Sequence, residues 1–504
     1  MSRRAMLAGS GALGLGMALQ GGEAASATTR ALAQARALKA DASGFLPVDQ
    51  LREWHEQLDA LGMRATGSPA HEGFIDTLIE RLTSVGVHDV HTEPVPFTRW
   101  LVGHWGLSVG ETTHPTASYI PYSGQTSAQG YEGPLAYVDS STNPPAGSLA
   151  GQVVLFDVPG SAITYGTMES IGYGTYDPAH LLDPTATYSR PWGGVTTLIT
   201  FLDALEASGA RACVGIIPLP AAGARGSYYP YDGTIRNIPG VFVDSATGAG
   251  LKAQAQHGAS TRVILTASVE RTTSRNVVGT IPGQSDELII LNSHTDGPNA
   301  VEDNGPDSIV SMAHYLTRLP MASRPRSFMV SFTTGHFHGG VGQVSFVEEH
   351  RDTSLPRTAC AVTLEHLGAL EWDLDASGEM ALTGRPELGV IFVPENKAMA
   401  FAALAALNVG DAGPALVLRP YVASAGSPNG YGWPGEGTQL WTDGHVMTMN
   451  YITGPTYLLN WGIPTVHKCD FQRVHREIAA FTSMVLGLSR TPKAELTALD
   501  LPPL

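Results

Sequence analysis

Glu287-Leu288-Ile289-Ile290-Leu291-Asn292 is a short apolar run that leads directly into Ser293-His294-Thr295-Asp296-Gly297. The run predicts a buried strand, and the apolar spacing over residues 307–319 predicts a helix shortly after it. Between them lies the acidic segment Glu302-Asp303-Asn304-Gly305. Imidazole and carboxylate groups are metal ligands in proteins. A histidine and an aspartate at a strand end, followed by acidic residues that open a helix, therefore indicate half of a metal site.

Outward from this stretch, strands continue to alternate with helices. Further apolar runs predict strands at residues 328–332 and 359–364. Such alternation is typical of an α/β fold with a mostly parallel, mixed sheet sandwiched between helices. Ligands in these folds bind beyond the carboxyl ends of the strands. Since His294, His336 and Glu365 each follow a predicted strand, we expect them to meet at one edge of the sheet.

Length and charge limit the possible classes of protein. A chain of 504 residues is too long for one simple core, so two or more domains are expected. The formal net charge of −16 argues against nucleic acid or an anionic membrane as the partner. The expected partner is a peptide, a saccharide or another small molecule. Nothing in the sequence indicates an oligomeric state.

Residues 1–27 resemble a signal peptide of the twin-arginine type. Ser2-Arg3-Arg4 precedes a glycine-rich, weakly apolar stretch, and Ala25-Ser26-Ala27 supplies small residues for cleavage. The stretch is too short and too rich in glycine for a stable membrane span, and no other span is predicted. We expect an exported, periplasmic or extracellular protein. The alternative is a disordered N-terminal tail.

The cysteines do not indicate a disulfide framework. There are three of them, which is few for an exported protein built on disulfides. Cys213 and Cys360 lie in apolar, strand-like runs and are predicted to pack in the core. Cys469 stands beside His467 and Asp470, so a thiolate metal ligand remains an open alternative there.

Residues 276–305 carry a resemblance to a known family. Asn276-Val277-Val278-Gly279-Thr280-Ile281-Pro282-Gly283, then the strand, His294-Thr295-Asp296 and Asp303-Asn304-Gly305 together resemble the co-catalytic zinc exopeptidases of peptidase family M28. That family includes aminopeptidases, glutamate carboxypeptidases and glutaminyl cyclases. The resemblance implies the zinc-exopeptidase α/β fold, and it extends more loosely over residues 50–490.

The middle of the chain has a different pattern of predicted strands and turns. Short β-like runs alternate there with glycine and proline turns, which indicates a smaller, β-rich insertion. Residues 151–156 and 209–217 resemble the protease-associated domain that this family can carry. We therefore divide the chain into the signal (1–27), the N-terminal part of the exopeptidase-like domain (28–108), the protease-associated-like insertion (109–270) and the main exopeptidase-like domain (271–504).

The resemblance also implies a set of metal ligands. By position, His294 would be a terminal ligand, Asp296 its orienting carboxylate and Asp303 a ligand that bridges two ions. Glu365 stands where the family has an aspartate ligand. His467 stands where the family has its last histidine.

The second metal position is the weaker one in this set. His467 has a nearby alternative in His475, and it could also be a surface histidine in a polar loop. A second ion would have only Asp303 and His467. We therefore expect one tightly bound ion, zinc or another divalent metal, at His294, Asp303 and Glu365.

The chain departs from the family at His336-Phe337. The family has two glutamates here, a general base followed by a metal ligand, and phenylalanine cannot bind a metal. We expect His336 to act as the general base, since an unperturbed imidazole titrates near neutral pH, or to become a ligand instead. His338 is expected to lie in the loop or behind the ligands. Glu436, in a glycine-rich segment, is a candidate replacement acid.

Together these features predict an exported metal-dependent hydrolase that cleaves an amide, an ester or a related bond and is not a standard aminopeptidase. Cyclase-type transfer is an alternative chemistry on the same scaffold. A protein of another class, a non-catalytic homologue that binds or scaffolds with a structural or absent metal, is the main alternative. Buried polar groups without partners cost free energy, so a dense polar cluster at the sheet edge favours the enzyme.

Overall fold

The computed structural model describes residues 32, 36 and 38–501. The predicted signal peptide, residues 1–27, lies outside the described residues. The strands, in chain order, are β1 (His88–Val109), β2 (Thr112–His114), β3 (Ser118–Tyr119), β4 (Tyr131–Tyr137), β5 (Val153–Asp157), β6 (Ser161–Thr164), β7 (Gly172–Tyr176), β8 (Thr187–Arg190), β9 (Ala212–Ile216), β10 (Gly240–Val243), β11 (Ser260–Ile281), β12 (Ser285–His294), β13 (Arg326–Thr333), β14 (Thr358–Leu364), β15 (Leu370–Leu374), β16 (Met380–Pro386), β17 (Gly389–Phe392), β18 (Ala415–Leu418), β19 (Val422–Ala423), β20 (Tyr431–Gly432) and β21 (Thr448–Thr453).

Helices flank the large sheet that most of these strands form. Within the described part of the chain, no helix is both long enough and apolar enough to cross a membrane. The α-helices, in chain order, are α1 (Val48–Leu61), α2 (Pro69–Ser84), α3 (Tyr165–Ser170), α4 (Val195–Ala207), α5 (Ala221–Ala224), α6 (Ser245–Ala255), α7 (Gly305–Arg318), α8 (Val341–His350), α9 (Lys397–Gly410), α10 (Thr438–Thr442), α11 (Phe471–Leu488) and α12 (Lys493–Leu496).

The large sheet is mixed, with a parallel centre. Among the described residues it has fifteen strands, in the order β3-β10-β9-β5-β4-β11-β13-β12-β14-β21-β17-β18-β7, with β1 paired to β11 and β2 paired to β1. β12 pairs in parallel with β13 and β14, and β14 pairs in parallel with β21. Every residue of β13 and β14 is buried, which is typical of a sheet covered on both faces. The predicted α/β fold is confirmed.

Two long strands connect the ends of the predicted insertion to the rest of the sheet. β1 and β11 each have 22 residues and pair antiparallel along their length. β11 also pairs with β4, after which β4, β5, β9 and β10 continue the sheet in parallel. β7 pairs with β18 at the opposite edge. The sheet therefore runs without a break across the predicted boundaries, and the protease-associated identity of this segment stays a prediction.

The start of α7 is pressed against the ends of two strands. A Cβ atom at Gly305, the first residue of α7, would clash with the carbonyl oxygen of Leu364 and with the hydroxyl of Ser293. That hydroxyl also donates to the Leu364 carbonyl oxygen at 2.8 Å. The acidic segment that precedes α7 is therefore held at the edge where β12 and β14 end.

This contact predicts a pair of opposite effects on stability. Gly305→Ala should lower the free energy of unfolding by about 1–3 kcal/mol, the usual cost of overpacking, because the clash is with backbone. Gly250→Ala is the matched control, since Gly250 is exposed within α6 and an added Cβ meets nothing within 4 Å. Alanine there should stabilise the helix by about 0.5–1 kcal/mol. Thermal unfolding midpoints test both, and equal midpoints would contradict the close approach at Gly305.

Candidate metal centre

Three parallel strands bring the predicted site residues together at their ends. β12 ends at His294, Glu365 directly follows β14, and His336 lies shortly beyond the end of β13. β12 lies between the other two and pairs with both. One potential ligand atom from each of these three residues lies within 4.8 Å of the other two. The expected meeting at one sheet edge is therefore present.

Glu302 and His366, which sequence reasoning did not select, join this group. The Nε2 atom of His294 lies 3.7 Å from Glu302 Oε1 and 3.5 Å from Glu365 Oε2. The Nε2 atom of His366 lies 3.3 Å and 3.7 Å from the same two oxygens. We call these four residues the central cluster. All four side chains are almost completely buried.

Backbone carbonyl groups fix the tautomer of both His294 and His366. Nδ1 of His294 lies 2.9 Å from the backbone carbonyl oxygen of Asp296, and Nδ1 of His366 lies 2.7 Å from that of Thr453. A carbonyl oxygen can only accept, so each Nδ1 carries the proton. The Nε2 lone pair of each neutral ring then faces the central cluster. This is how proteins prepare a histidine for a metal ion.

Four atoms of the central cluster are buried with no hydrogen-bond partner among the described residues: His294 Nε2, His366 Nε2, Glu302 Oε2 and Glu365 Oε2. With neutral rings and ionised carboxylates all four are acceptors, so they cannot satisfy one another. A buried polar atom without a partner costs about 1–3 kcal/mol. A cation held by the two rings and the carboxylates would offset part of this cost.

The spacing of the central cluster suits a small divalent ion. Zinc binds nitrogen and oxygen at about 2.0–2.2 Å, so tetrahedral ligand atoms lie about 3.3–3.6 Å apart. The four distances between rings and carboxylates run from 3.3 to 3.7 Å. Two imidazoles and two carboxylates are donors that zinc and its first-row neighbours accept. The residues present therefore fit a metal ion.

The surrounding charges favour a positive charge at the same place. Burial alone would lower the pKa of His294, but Glu302, Glu365 and Glu436 raise it well above its usual value. Burial alone would raise the pKa of Glu365, but His294 and His366 lower it to about 2. The carboxylate of Glu365 therefore stays ionised at neutral pH, and the central cluster attracts a cation.

The backbone at His366 lets two consecutive residues reach one cluster. Neighbouring side chains of an extended strand point to opposite faces. His366 has a φ of 58°, in the left-handed region that is costly for a residue with a side chain. The extended conformation of β14 therefore stops there, and both Glu365 and His366 contact Glu302 or His294. Backbone strain of this kind clusters at functional sites.

Glu365 is held by the oxygen that does not face the histidines. Its Oε1 accepts a hydrogen bond from Asn450 Nδ2 at 2.7 Å and another from the backbone N–H of Glu436 at 3.0 Å. Asn450 lies on β21, the parallel neighbour of β14. Its amide therefore orients Glu365 so that Oε2 is left for the central cluster.

His336 and Glu436 form a second pair beside the central cluster. Nδ1 of His336 lies 2.8 Å from Glu436 Oε2, and Glu436 Oε1 accepts from the hydroxyl of Thr333. The rings of His336 and His294 stack with centroids 4.4 Å apart. Burial and His294 lower the pKa of His336, but Glu436 raises it, and the net shift is upward. Glu436, expected as a replacement acid, lies behind the His336 ring and orients it.

The carboxylate of Asp296 does not orient His294 as expected. Its backbone carbonyl, and not its carboxylate, holds the ring of His294. The carboxylate accepts from the backbone N–H of His336 at 3.1 Å, from that of Phe337 at 3.0 Å and from the hydroxyl of Thr66 at 2.6 Å. Asp296 therefore fixes the loop that carries His336.

Asp303, expected as a bridging metal ligand, binds Arg64 instead. Its Oδ2 lies 2.6 Å from Nε and its Oδ1 lies 2.6 Å from Nη2 of the guanidinium. Both side chains are fully buried. A buried carboxylate needs a positive partner, and the planar guanidinium matches both oxygens at once. Glu302, the preceding residue, faces the central cluster in its place.

His467, expected as the last histidine ligand, lies outside the central cluster. It is exposed in a single 3₁₀ turn, Val466–Lys468, just before α11. The residue ahead of this turn is bound to α1, because Thr465 donates to the carboxylate of Asp59. The alternative, His475, packs edge-on against Phe45 from within α11. His366, and not His467, is the second histidine of the central cluster.

The cysteines take no part in the central cluster. All three are free and buried. The thiol of Cys469 donates to the carbonyl oxygen of Leu367 at 3.7 Å. Burial raises the pKa of Cys469 well above its usual value, so the thiolate that a metal needs is disfavoured.

The rest of the His336 loop packs against aromatic residues. Phe337 lies against Tyr228 and Tyr231, with ring centroids 5.8 and 4.9 Å away. The ring of His338 lies 5.0 Å from that of Phe97. These contacts come from the predicted insertion and from β1, and they place neither side chain in the central cluster.

The sequence pattern did not predict a role in the site for Glu302, His366 or Arg64, and the reasons are physical. Glu302 and His366 each adjoin a residue that the family resemblance favoured, and sequence does not tell which of two neighbours faces inward. Arg64 stands between two helices without any motif. One signal was available for His366, namely a second potential ligand directly after Glu365 at a strand end.

Solved structures with the same fold include zinc peptidases. A peptidase M28 precursor from Shewanella amazonensis gives a TM-score of 0.62 at 17% identity, covering 93% of this chain and 98% of that one. The zinc aminopeptidase BSAP from Bacillus subtilis gives 0.58 at 15%, covering 87% and 94%. An aminopeptidase from Aneurinibacillus gives 0.54 at 15%, covering 89% and 93%. No family model matches the sequence, and a search of curated proteins gives no match. The chain has an M28-like fold.

The geometry predicts which histidine controls metal binding. Zinc should raise the unfolding midpoint of the parent protein, since a ligand at 100 times its Kd stabilises by about 2.7 kcal/mol. His366→Ala should abolish that rise. His467→Ala, a matched control that removes the same ring from the surface, should keep it. Thermal unfolding with and without zinc checks this, and the opposite pattern would restore His467 as the ligand.

Proposed function

We propose that this protein is an exported metal-dependent hydrolase that uses one metal ion to cleave an amide, an ester or a related bond. The observation that carries the proposal is the central cluster, with four partnerless acceptors, placed directly beside the His336–Glu436 pair. The zinc named for the relative from Bacillus subtilis supports zinc as the metal. A peptide, a saccharide or another small molecule would be the substrate.

The metal would be held by His294, Glu302, Glu365 and His366. When bound, a divalent ion polarises a carbonyl group and lowers the pKa of water. One ion is proposed because both oxygens of Asp303 are already bound to a guanidinium.

His336 has the surroundings of a general base. Its Nδ1–H donates to the carboxylate of Glu436, so Nε2 is free to accept a proton from water. The same carboxylate stabilises the imidazolium that forms, as an acidic partner does in other catalytic histidine pairs. Asp296 holds the backbone N–H of His336 in place. The ring can then return the proton to the leaving group.

A standard aminopeptidase is not proposed. His336 and Phe337 stand where the resembling family has its two glutamates, and Phe337 is buried among aromatic rings. The rings of His336 and His366 keep 10% and 6% of their side-chain surface exposed, while Glu302 and Glu436 keep at most 1%. The bond to be cleaved would therefore approach from the side of these two rings. Export is proposed on the Arg3-Arg4 sequence alone.

Removal of the proposed base should separate catalysis from metal binding. His336→Ala should keep its metal content near that of the parent protein and lower turnover by roughly 10²-fold or more, the usual contribution of a general base. His338→Ala, from the same loop, is the control and should change turnover little. Loss of metal in His336→Ala would make His336 a ligand, and full activity would remove it from the mechanism.

Elemental analysis beside a screen of aminoacyl, ester and glycoside reporters tests the proposed function as a whole. We expect about one zinc per chain and a hydrolytic activity that a chelator abolishes and zinc restores. Metal-free protein whose stability is unchanged by His294→Ala would contradict the metallohydrolase and favour a non-catalytic homologue.

A further inference from the structure

Two neighbouring carboxylates lie at the centre, and only one of them belongs to the central cluster. Gly297 shows how close they are, because a Cβ atom there would lie 2.5 Å from Glu302 Oε2 and 3.1 Å from Asp303 Cγ. Asp303 is also fully buried. A buried carboxylate beside the central cluster would be a natural ligand for a second cation.

That carboxylate is instead engaged by a guanidinium that is itself locked in place. Nε and Nη2 of Arg64 each lie 2.6 Å from one oxygen of Asp303. Nη1 donates to the backbone carbonyl oxygens of Leu58 and Gly62. The backbone groups of Arg64 and Gly297 also form two reciprocal hydrogen bonds, with N···O distances of 2.9 and 3.2 Å. Each guanidinium nitrogen therefore has a partner, and the side chain cannot swing away without breaking several hydrogen bonds.

We infer that Arg64 stands in for a second metal ion, so that the bidentate ion pair with Asp303 limits this centre to one metal. The inference rests on the proposed metal-dependent function and deepens it. Arg64 supplies the positive charge that a buried Asp303 requires. The guanidinium also repels any further cation at this short range, where burial makes charge interactions strong. The number of metal ions is therefore set by a single residue, and Arg64 is a positioning residue, not a catalytic one.

Zinc stoichiometry in three variants tests the inference. The parent protein and the variants are equilibrated with zinc alone, desalted and analysed for zinc per chain. Arg64→Met keeps the side-chain length and removes the charge, which frees both oxygens of Asp303. We expect about one zinc in the parent and about two in Arg64→Met, since carboxylate oxygens are zinc ligands. The unfolding midpoint of Arg64→Met should fall without zinc and recover more with zinc than that of the parent.

Asp303→Asn and the double variant Arg64→Met/Asp303→Asn are the matched controls. Both should keep the first zinc and gain no second one. Zinc bound loosely elsewhere on this acidic chain would appear in these two controls as well, so they correct for it. A fall in zinc content of Asp303→Asn, or two zinc ions in the parent, would make Asp303 a ligand and overturn the inference. An Arg64→Met protein that folds and stays at one zinc would overturn it as well.

Different results would overturn the proposed function and the inference on Arg64. Should Arg64→Met not fold, the zinc content of Asp303→Asn decides the matter on its own, because the inference requires it to equal that of the parent. A parent protein without zinc, unaffected by His294→Ala, would overturn the proposed function and the inference together. A change confined to the Arg64 and Asp303 variants would leave the metallohydrolase standing and overturn the inference alone.

Discussion

The arrangement of this sheet edge depends on one constraint: two imidazoles and two carboxylates are buried together with no donor among the described residues for four of their atoms. Two backbone carbonyls bind the Nδ1 atoms of His294 and His366, so Nε2 of each neutral ring is left as an acceptor. The carboxylates of Glu302 and Glu365 face the same point and also accept. The distances from the two rings to the two carboxylates, 3.3 to 3.7 Å, are close to those between the ligand atoms of a small divalent ion.

Three features of the backbone hold the residues of this site in place. Gly305 allows α7 to approach the ends of two strands, which fixes the acidic segment before it. The left-handed His366 turns a second ligand toward the centre. Asp296 binds two consecutive N–H groups of the loop that carries His336. Each device acts on backbone, so the side chains are oriented before any metal or substrate arrives, which is what catalysis by preorganised groups requires.

The sequence was sufficient for the strands and for the edge at which the site forms. The apolar runs before His294 and Glu365 predicted β12 and β14, and parallel strands must end at a common edge. Sequence could not decide between adjacent residues, because the choice of Glu302 over Asp303 depends on where Arg64 lies in space. The sequence offered His366 only as a second potential ligand after Glu365, and its orientation follows from a left-handed backbone conformation that the sequence pattern does not specify.

Diffraction from crystals of the zinc-loaded protein, with anomalous scattering measured at the zinc edge, locates the bound metal and identifies its ligands. We expect one strong peak per chain, bound by Nε2 of His294 and His366 and by the carboxylates of Glu302 and Glu365, with Arg64 still paired to Asp303. A peak bound by Asp303 or His467, or no peak at this sheet edge, would contradict it.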